Sequence, residues 1–216
     1  MNSTPNNDPN NETGSPGNRG WETLGGDPDS LKAAMRHFPS GVTIITSGSG
    51  ENAEGMTANA ILSVSLEPPL MLASVHKDAR LNTRIKEEKR FAISILAEDQ
   101  EGHSRLFSSP ERSSGLHATH SLGHDRGEKE APLASGAIAA IECELSATYP
   151  GGDHDLFLGR VTNVHLGDTR KNPLVYHEGE YPKLKKGDSH DENRAFMDSP
   201  RGYDARLQNF QRRKRK

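Results

Sequence analysis

The sequence predicts a mainly β protein, an antiparallel barrel with peripheral helices, and three observations predict it. Short β-branched or apolar stretches recur through the middle of the chain, at 41–47, 70–75, 91–96, 136–149 and 155–166. Turn residues separate them: Gly and Ser at 47–50, Pro68-Pro69, and Gly151-Gly152. Only a few helical patterns intervene, whereas a doubly wound parallel sheet needs a helix after nearly every strand.

Taken in order, residues 1–26 are rich in Asn, Pro, Gly and Ser, with Trp21 as their one aromatic. They cannot bury enough apolar area to offset the entropy of ordering and are expected to be disordered. Asp29 or Ser30 is the expected cap of a helix over 31–38, with Leu31, Ala34, Met35 and Phe38 on one face and Pro39 ending it. A strand at 41–47 and one extended stretch at 56–66 follow, and Pro68-Pro69 breaks the second. The apolar 70–75 is a third strand. A helix over 79–88 turns Leu81 and Ile85 inward, 91–96 is a fourth strand, and a helix covers 100–107.

The polar, Gly/Ser/His-rich 108–131 reads as a long loop, a feature that is often functional. In 136–149, Ile138, Ala140, Glu142 and Glu144 alternate with Ala139, Ile141, Cys143 and Leu145. A further strand spans 155–166, and 174–181 forms a closing strand and turn. The domain therefore spans 27–184, between the tail at 1–26 and a charged, mobile tail at 185–216.

Composition narrows the function classes. The chain has 216 residues, which suits one domain plus tails. Hydrophobic residues make up 31% and mean hydropathy is -0.80, so an ordinary middle is diluted by polar ends. A net charge of -3 gives no case for nucleic acid or membrane binding. The basic end at 212–216 lacks an aromatic platform and reads as a solvated terminus. One cysteine, Cys143, allows no internal disulfide and fits a reducing cytosol; in mid-strand it reads as a small core residue. No apolar run approaches the ~18 residues of a membrane helix. The first seven residues lack the basic and apolar regions of a signal peptide, so a soluble cytoplasmic protein is expected.

Several chemistries fall away. No Gly-x-Gly-x-x-Gly opens a helix and no Walker-type loop exists, so a nucleotide cofactor must be held some other way. No serine sits in a Gly-x-Ser-x-Gly elbow. His117, His120 and His124, followed by Asp125, have metal-like spacing, but their segment offers no rigid scaffold; it reads as a polar loop and no metal is expected. Two segments keep two readings each. Gly152-Asp153-His154 is either a solvated turn or a functional group on a rigid frame. Gly55-Met56-Thr57-Ala58-Asn59-Ala60 is either a tight turn or a small-residue stretch that lets a flat ligand approach backbone amides.

Together these segments resemble the flavin reductase family built on the FMN-binding split barrel, over roughly 31–184. The resemblance rests on an ordered series. It begins with Phe38-Pro39-Ser40-Gly41-Val42-Thr43-Ile44-Ile45-Thr46, Gly55-Met56-Thr57-Ala58-Asn59 and Ser63-Val64-Ser65-Leu66-Glu67-Pro68-Pro69-Leu70. Phe91-Ala92-Ile93-Ser94-Ile95-Leu96, with Gln100 and Phe107, and Ala139-Ala140-Ile141-Glu142-Cys143 follow. Gly152-Asp153-His154 with Gly159-Arg160-Val161, and Pro173-Leu174-Val175-Tyr176, complete it.

The resemblance implies a homodimer that passes a hydride from NADH or NADPH to FMN or FAD, many such proteins releasing reduced flavin to a separate monooxygenase. It assigns flavin contacts to Thr57, Ala58 and Asn59, and to Ser63, Val64 and Ser65. Ser74 to Lys77 match a strand end that leads to the flavin phosphate, Phe107 matches an aromatic near the ring system, and His154 matches a histidine beside the nicotinamide. One departure stands out: the family's Ser-x-Thr phosphate pair is replaced by Ala79-Arg80-Leu81. Phosphate binding is then expected to lean on Lys77, Arg80 and the helix start. Two other classes stay open, a flavin-carrying electron-transfer module without free-flavin turnover and a direct flavin-dependent oxidase or monooxygenase.

Overall fold

The computed structural model describes residues 23–123 and 130–185. The tails expected at 1–26 and 185–216 lie outside these residues, apart from 23–26 and Lys185. The chain divides into two compact units, Met1–Phe38 and Pro39–Lys216, so the division falls inside the span read as one domain.

In the first unit, helix α1 spans Pro28–Met35. It begins earlier than the sequence suggested, because the cap is Asp27 rather than Asp29 or Ser30. The Asp27 carboxylate accepts bonds from the backbone N–H groups of Asp29 and Ser30, both at 3.0 Å. Pro28 suits the first turn, where its missing N–H costs nothing. No residue of α1 is buried, so the expected apolar face stands exposed.

The second unit is a seven-stranded antiparallel sheet with peripheral helices. Its strands are β2 (Thr43–Ser47), β3 (Glu54–Ala58), β4 (Ile61–Leu66), β5 (Pro69–His76), β6 (Arg90–Ile95), β7 (Ala139–Gly151) and β8 (His154–Leu166), in the order β3-β2-β6-β7-β8-β5-β4. A separate pair joins β1 (Ser40–Gly41) to β9 (Val175–Tyr176). The stretch expected at 56–66 is thus two strands, β3 and β4, which form opposite edges of the sheet. Only Asn59 and Ala60 connect them. Since consecutive Cα atoms lie about 3.8 Å apart, the sheet must roll until its edges meet at this corner. There Ser74 N–H donates to the Ala60 carbonyl at 3.0 Å. Among the described residues no strand pairing closes β3 onto β4.

Two apolar clusters flank β2, which explains why all of its residues are buried. Ile45 joins Val75, Leu81, Ile85, Phe91, Ile93, Cys143 and Phe157 inside the rolled sheet. Leu81 and Ile85 are the inward face of α2 (Arg80–Glu88), as its spacing predicted. Ile44 faces the other way, into a cluster with Leu96, Phe107, Ala118, Leu122 and Leu174. That second cluster corrects the loop expected at 108–131. Besides α3 (Glu101–Ser108), a helix α4 spans Gly115–Leu122, with Ala118 and Leu122 one turn apart and buried. Gly115, at φ +62, begins it and donates its N–H to the Ala53 carbonyl at 2.7 Å. The strict alternation expected in β7 is also broken. A bulge between Glu142 and Cys143 shifts the register, so Ala140 and Cys143 share the buried state three residues apart.

Candidate functional site

The flavin-matching residues divide between several places. A cavity of about 230 Å³ takes Thr57, Ala58 and Asn59 as one wall. Thr57 and Ala58 end β3 and Asn59 follows it, and each is anchored. Thr57 Oγ1 donates to the Ser104 carbonyl at 2.7 Å, Thr43 Oγ1 donates to the Ala58 carbonyl at 2.6 Å, and Asn59 Nδ2 donates to Ser40 Oγ at 3.1 Å. The opposite walls are Ser104 and Ser108 of α3, and Tyr176 and Tyr181 at the chain's closing segment. Phe107 does not line the cavity. It is fully buried beneath β3, where a Cβ on Gly55 would stand 2.8 Å from its ring. Phe107 therefore fixes the strand from behind, and Gly55 is the residue that lets it do so.

Ser63, Val64 and Ser65 lie beyond the corner on the edge strand β4 and are absent from the cavity lining. Ser63 and Val64 are exposed, and Ser65 Oγ accepts from the Glu67 N–H at 3.2 Å. Ser74, half-buried on β5, contributes its backbone to the β3–β4 corner.

A second constellation sits at the β7–β8 hairpin. Gly152 turns the chain at φ +71 and pairs no side chain of its own with the site. His154 Nδ1 lies 2.7 Å from Asp153 Oδ1, and that bond, ahead of the charge effects of His154 and His76, holds the Asp153 carboxyl below its ordinary value. The ionised carboxylate only accepts, so His154 Nδ1 donates to it. Across the ladder His76 pairs with His154, their rings 5.1 Å apart and edge-to-face. The Lys77 N–H donates to the Asp153 carbonyl at 3.0 Å, and its ammonium donates to the Gly152 carbonyl. Just inside, Asp155 accepts from Lys86 at 2.6 Å and Asn82 at 3.2 Å, and the Lys86 bond above all keeps its carboxyl low.

Arg80 opens α2, whose cap residue Ala79 supplies no side-chain bond. Its Nε lies 3.2 Å from both Glu54 oxygens, and its Nη2 donates to the Arg112 carbonyl at 2.8 Å. Arg112 Nε in turn donates to the Gly55 carbonyl at 2.9 Å, and burial, then the neighbouring Arg80, pulls its guanidinium below the usual value. Both cations expected at a phosphate, Lys77 and Arg80, are thus already engaged within the fold.

Among the described residues no cluster of His, Cys, Asp and Glu could hold a metal; His124 and Asp125 lie outside them. Sequence reasoning missed Ser104, Ser108, Tyr176 and Tyr181. The available signal was aromatic: two of the chain's four tyrosines fall within the closing segment of a chain that is only 5% aromatic.

Comparison with known proteins places this geometry. The flavin reductase like domain family matches residues 35–185. An NADH-dependent FMN reductase of Streptomyces nodosus subsp. asukaensis is 39% identical over 155 residues, covering 72% of this chain and 84% of its own. The reductase component of a 4-hydroxyphenylacetate 3-monooxygenase from Thermus thermophilus is 37% identical, covering 72% of this chain and 96% of its own. Among solved structures, the Streptomyces globisporus NADH:FAD oxidoreductase in complex with NAD and FAD fragments superposes with a TM-score of 0.68 at 34% identity, covering 76% of this chain and 96% of that one.

Proposed function

The chain belongs to the flavin reductase like domain family, and from that premise we propose that it catalyses hydride transfer from NADH to FMN or FAD and supplies reduced flavin to a separate monooxygenase. The observation that carries this reading is the cavity. Thr57, Ala58 and Asn59 line it together with Ser104, Ser108, Tyr176 and Tyr181. Flat, partly polar rings are what such walls accept. At about 230 Å³ it is smaller than the roughly 300–1,000 Å³ of a complete small-molecule site. It therefore takes part of a flavin, and the remainder extends over neighbouring surface.

Bound there, flavin supplies the ring that accepts the hydride and the nicotinamide supplies the hydride itself. The residues bind and orient. Thr57 and Asn59, each tied by its own hydrogen bond, hold the cavity wall in register. Asp153 holds His154 through Nδ1, so the ring is set at the hairpin where it can orient the nicotinamide. No side chain needs to take or give a proton for this chemistry.

The phosphate contacts favour exchange over retention. Ala79 and Leu81 stand where hydroxyls would be, Leu81 is fully buried, and Lys77 and Arg80 already have partners. An anion must compete for them, so flavin behaves as a substrate that comes and goes. That favours the reductase over a bound-flavin carrier. The homodimer is supported by exposed apolar side chains, Leu62, Val64 and Leu66 on the edge strand β4 and Val164 and Leu166 on β8. A cytoplasmic location is supported by the single, buried cysteine.

The test is NADH and NADPH oxidation by colourless purified protein, with FMN, FAD and riboflavin added in turn. Oxidation that requires added flavin supports the reading. A yellow protein that resists dialysis and gains nothing from free flavin replaces it with the carrier.

A further inference from the structure

The closing segment of the chain does more than seal the sheet. Tyr176 pairs with Ser40 in the β1–β9 ladder, and a tight turn, with reciprocal backbone bonds between His177 and Glu180, brings Tyr181 back over α3. The Tyr181 hydroxyl lies 2.8 Å from Ser104 Oγ. Ser104 is fully buried, and its carbonyl accepts the Thr57 hydroxyl at 2.7 Å. The Tyr181 ring is clamped from two sides, by the Arg105 guanidinium 5.1 Å from its centre and by the Tyr176 ring at 5.4 Å. The other end of the cavity wall is tied to the same segment: Asn59 donates to Ser40, the ladder partner of Tyr176. Both ends of Thr57–Asn59 are therefore linked, through Ser104 and Ser40, to tyrosines that arrive more than a hundred positions later in the chain.

We propose that Tyr181, acting through Ser104, is a positioning residue for the flavin cavity, setting Thr57 against the ring of a bound flavin. The proposal rests on the flavin reductase reading of the same cavity. Tyr181 also forms part of the cavity wall, so its ring narrows the space to a flat occupant. Removing its hydroxyl leaves Ser104 Oγ buried without that partner and frees the α3 turn that carries the Thr57 acceptor. The loss falls on flavin binding. Nothing in this network touches His154, so the nicotinamide side is untouched.

The experiment compares Tyr181→Phe, Ser104→Ala and the double variant with the full-length wild type, using FMN as the probe. FMN affinity is read by fluorescence quenching, steady-state constants by NADH oxidation, and folding by thermal melting. Tyr181→Phe is expected to weaken FMN about threefold to tenfold, the range of one hydrogen bond. Its kcat at saturating FMN and its KM for NADH stay at wild-type values. Because the two groups share one bond, the double variant should weaken FMN no more than the worse single variant. The proposal is overturned if Tyr181→Phe binds FMN like wild type, if the two changes add, or if KM for NADH rises in step with FMN. A wild-type protein that neither binds FMN nor oxidises NADH with it sinks the reductase reading itself, and is distinguishable because no variant is needed to see it.

Discussion

The cavity and the β7–β8 hairpin are built in opposite ways. The hairpin is local: Gly152, Asp153 and His154 are adjacent in sequence, His76 meets them through strand pairing, and Lys77 follows it in the chain. The cavity is assembled from β3, α3 and the closing segment, and its hydrogen bonds run from Thr57 to Ser104 to Tyr181. A short motif tolerates drift in the rest of the fold. An assembled cavity depends on packing behind every wall. The difference predicts that flavin binding is sensitive to core changes and nicotinamide binding is not.

The largest effect should come from Gly55→Ala. Its Cβ would stand 2.8 Å and 3.0 Å from atoms of the fully buried Phe107 ring, closer than a packed core allows. Overpacking of this kind costs about 1–3 kcal/mol. We expect a lower denaturant midpoint and weaker FMN binding, with KM for NADH at saturating FMN unchanged. Pairing it with Phe107→Leu should recover part of the stability, since the two changes share one contact. If KM for NADH rises as much as FMN affinity falls, the two regions are one energetic unit and the contrast is wrong.

His154→Ala reverses the pattern. It should raise KM for NADH roughly threefold to tenfold, one hydrogen bond's worth, and leave FMN affinity and stability alone. Asp153→Ala should give a smaller rise, because His154 stays present but loses its fixed orientation. The Asp153 carboxyl is held below 3.8 by His154. A depressed carboxyl contributes fully above its unfolded value and is lost only as pH falls through the lower folded one. The carboxylate's own part in the Asp153→Ala effect should therefore be lost only as pH falls through that depressed value. Steady-state kinetics at several pH values check both changes.

The same contrast explains what could be read from the sequence. Strand stretches such as 91–96 and the inward pair Leu81 and Ile85 were legible because periodicity reports burial directly. Thr57, Ala58 and Asn59 were legible as a family stretch, and the structure does gather them in one cavity. Helix α4 was not, because its polar residues hide a two-residue apolar contact, Ala118 and Leu122, whose partners lie on β2 and α3. Phe107 read as a ring contact because sequence shows an aromatic but not the glycine it packs against. Tyr181 was invisible for a related reason: its value lies in a hydroxyl bond to Ser104, 77 residues away.

The smallest effect tests the core that both regions share. Cys143 is buried on β7, and the strand opposite makes room for it: a Cβ on Gly159 would come within 2.6 Å of its own. Burial, with a lesser contribution from Glu142, pushes its thiol up from 9.0 to about 12. A folded value raised above the unfolded one means that the neutral thiol's contribution is complete below 9.0 and is lost as pH rises toward about 12. Wild type should therefore lose stability in that alkaline window faster than Cys143→Ala, and the difference between their urea midpoints isolates the thiol from every other titrating group. Thiol reagents should leave the native protein unlabelled near neutral pH. Because the cluster that holds Cys143 packs against both β5 and Ala58 of the cavity wall, KM for NADH and FMN affinity should move together through the loss. Parallel decline of the two midpoints would mean that the thiol ionises as freely in the fold as outside it, and that the core behind the hairpin is more open than its packing indicates.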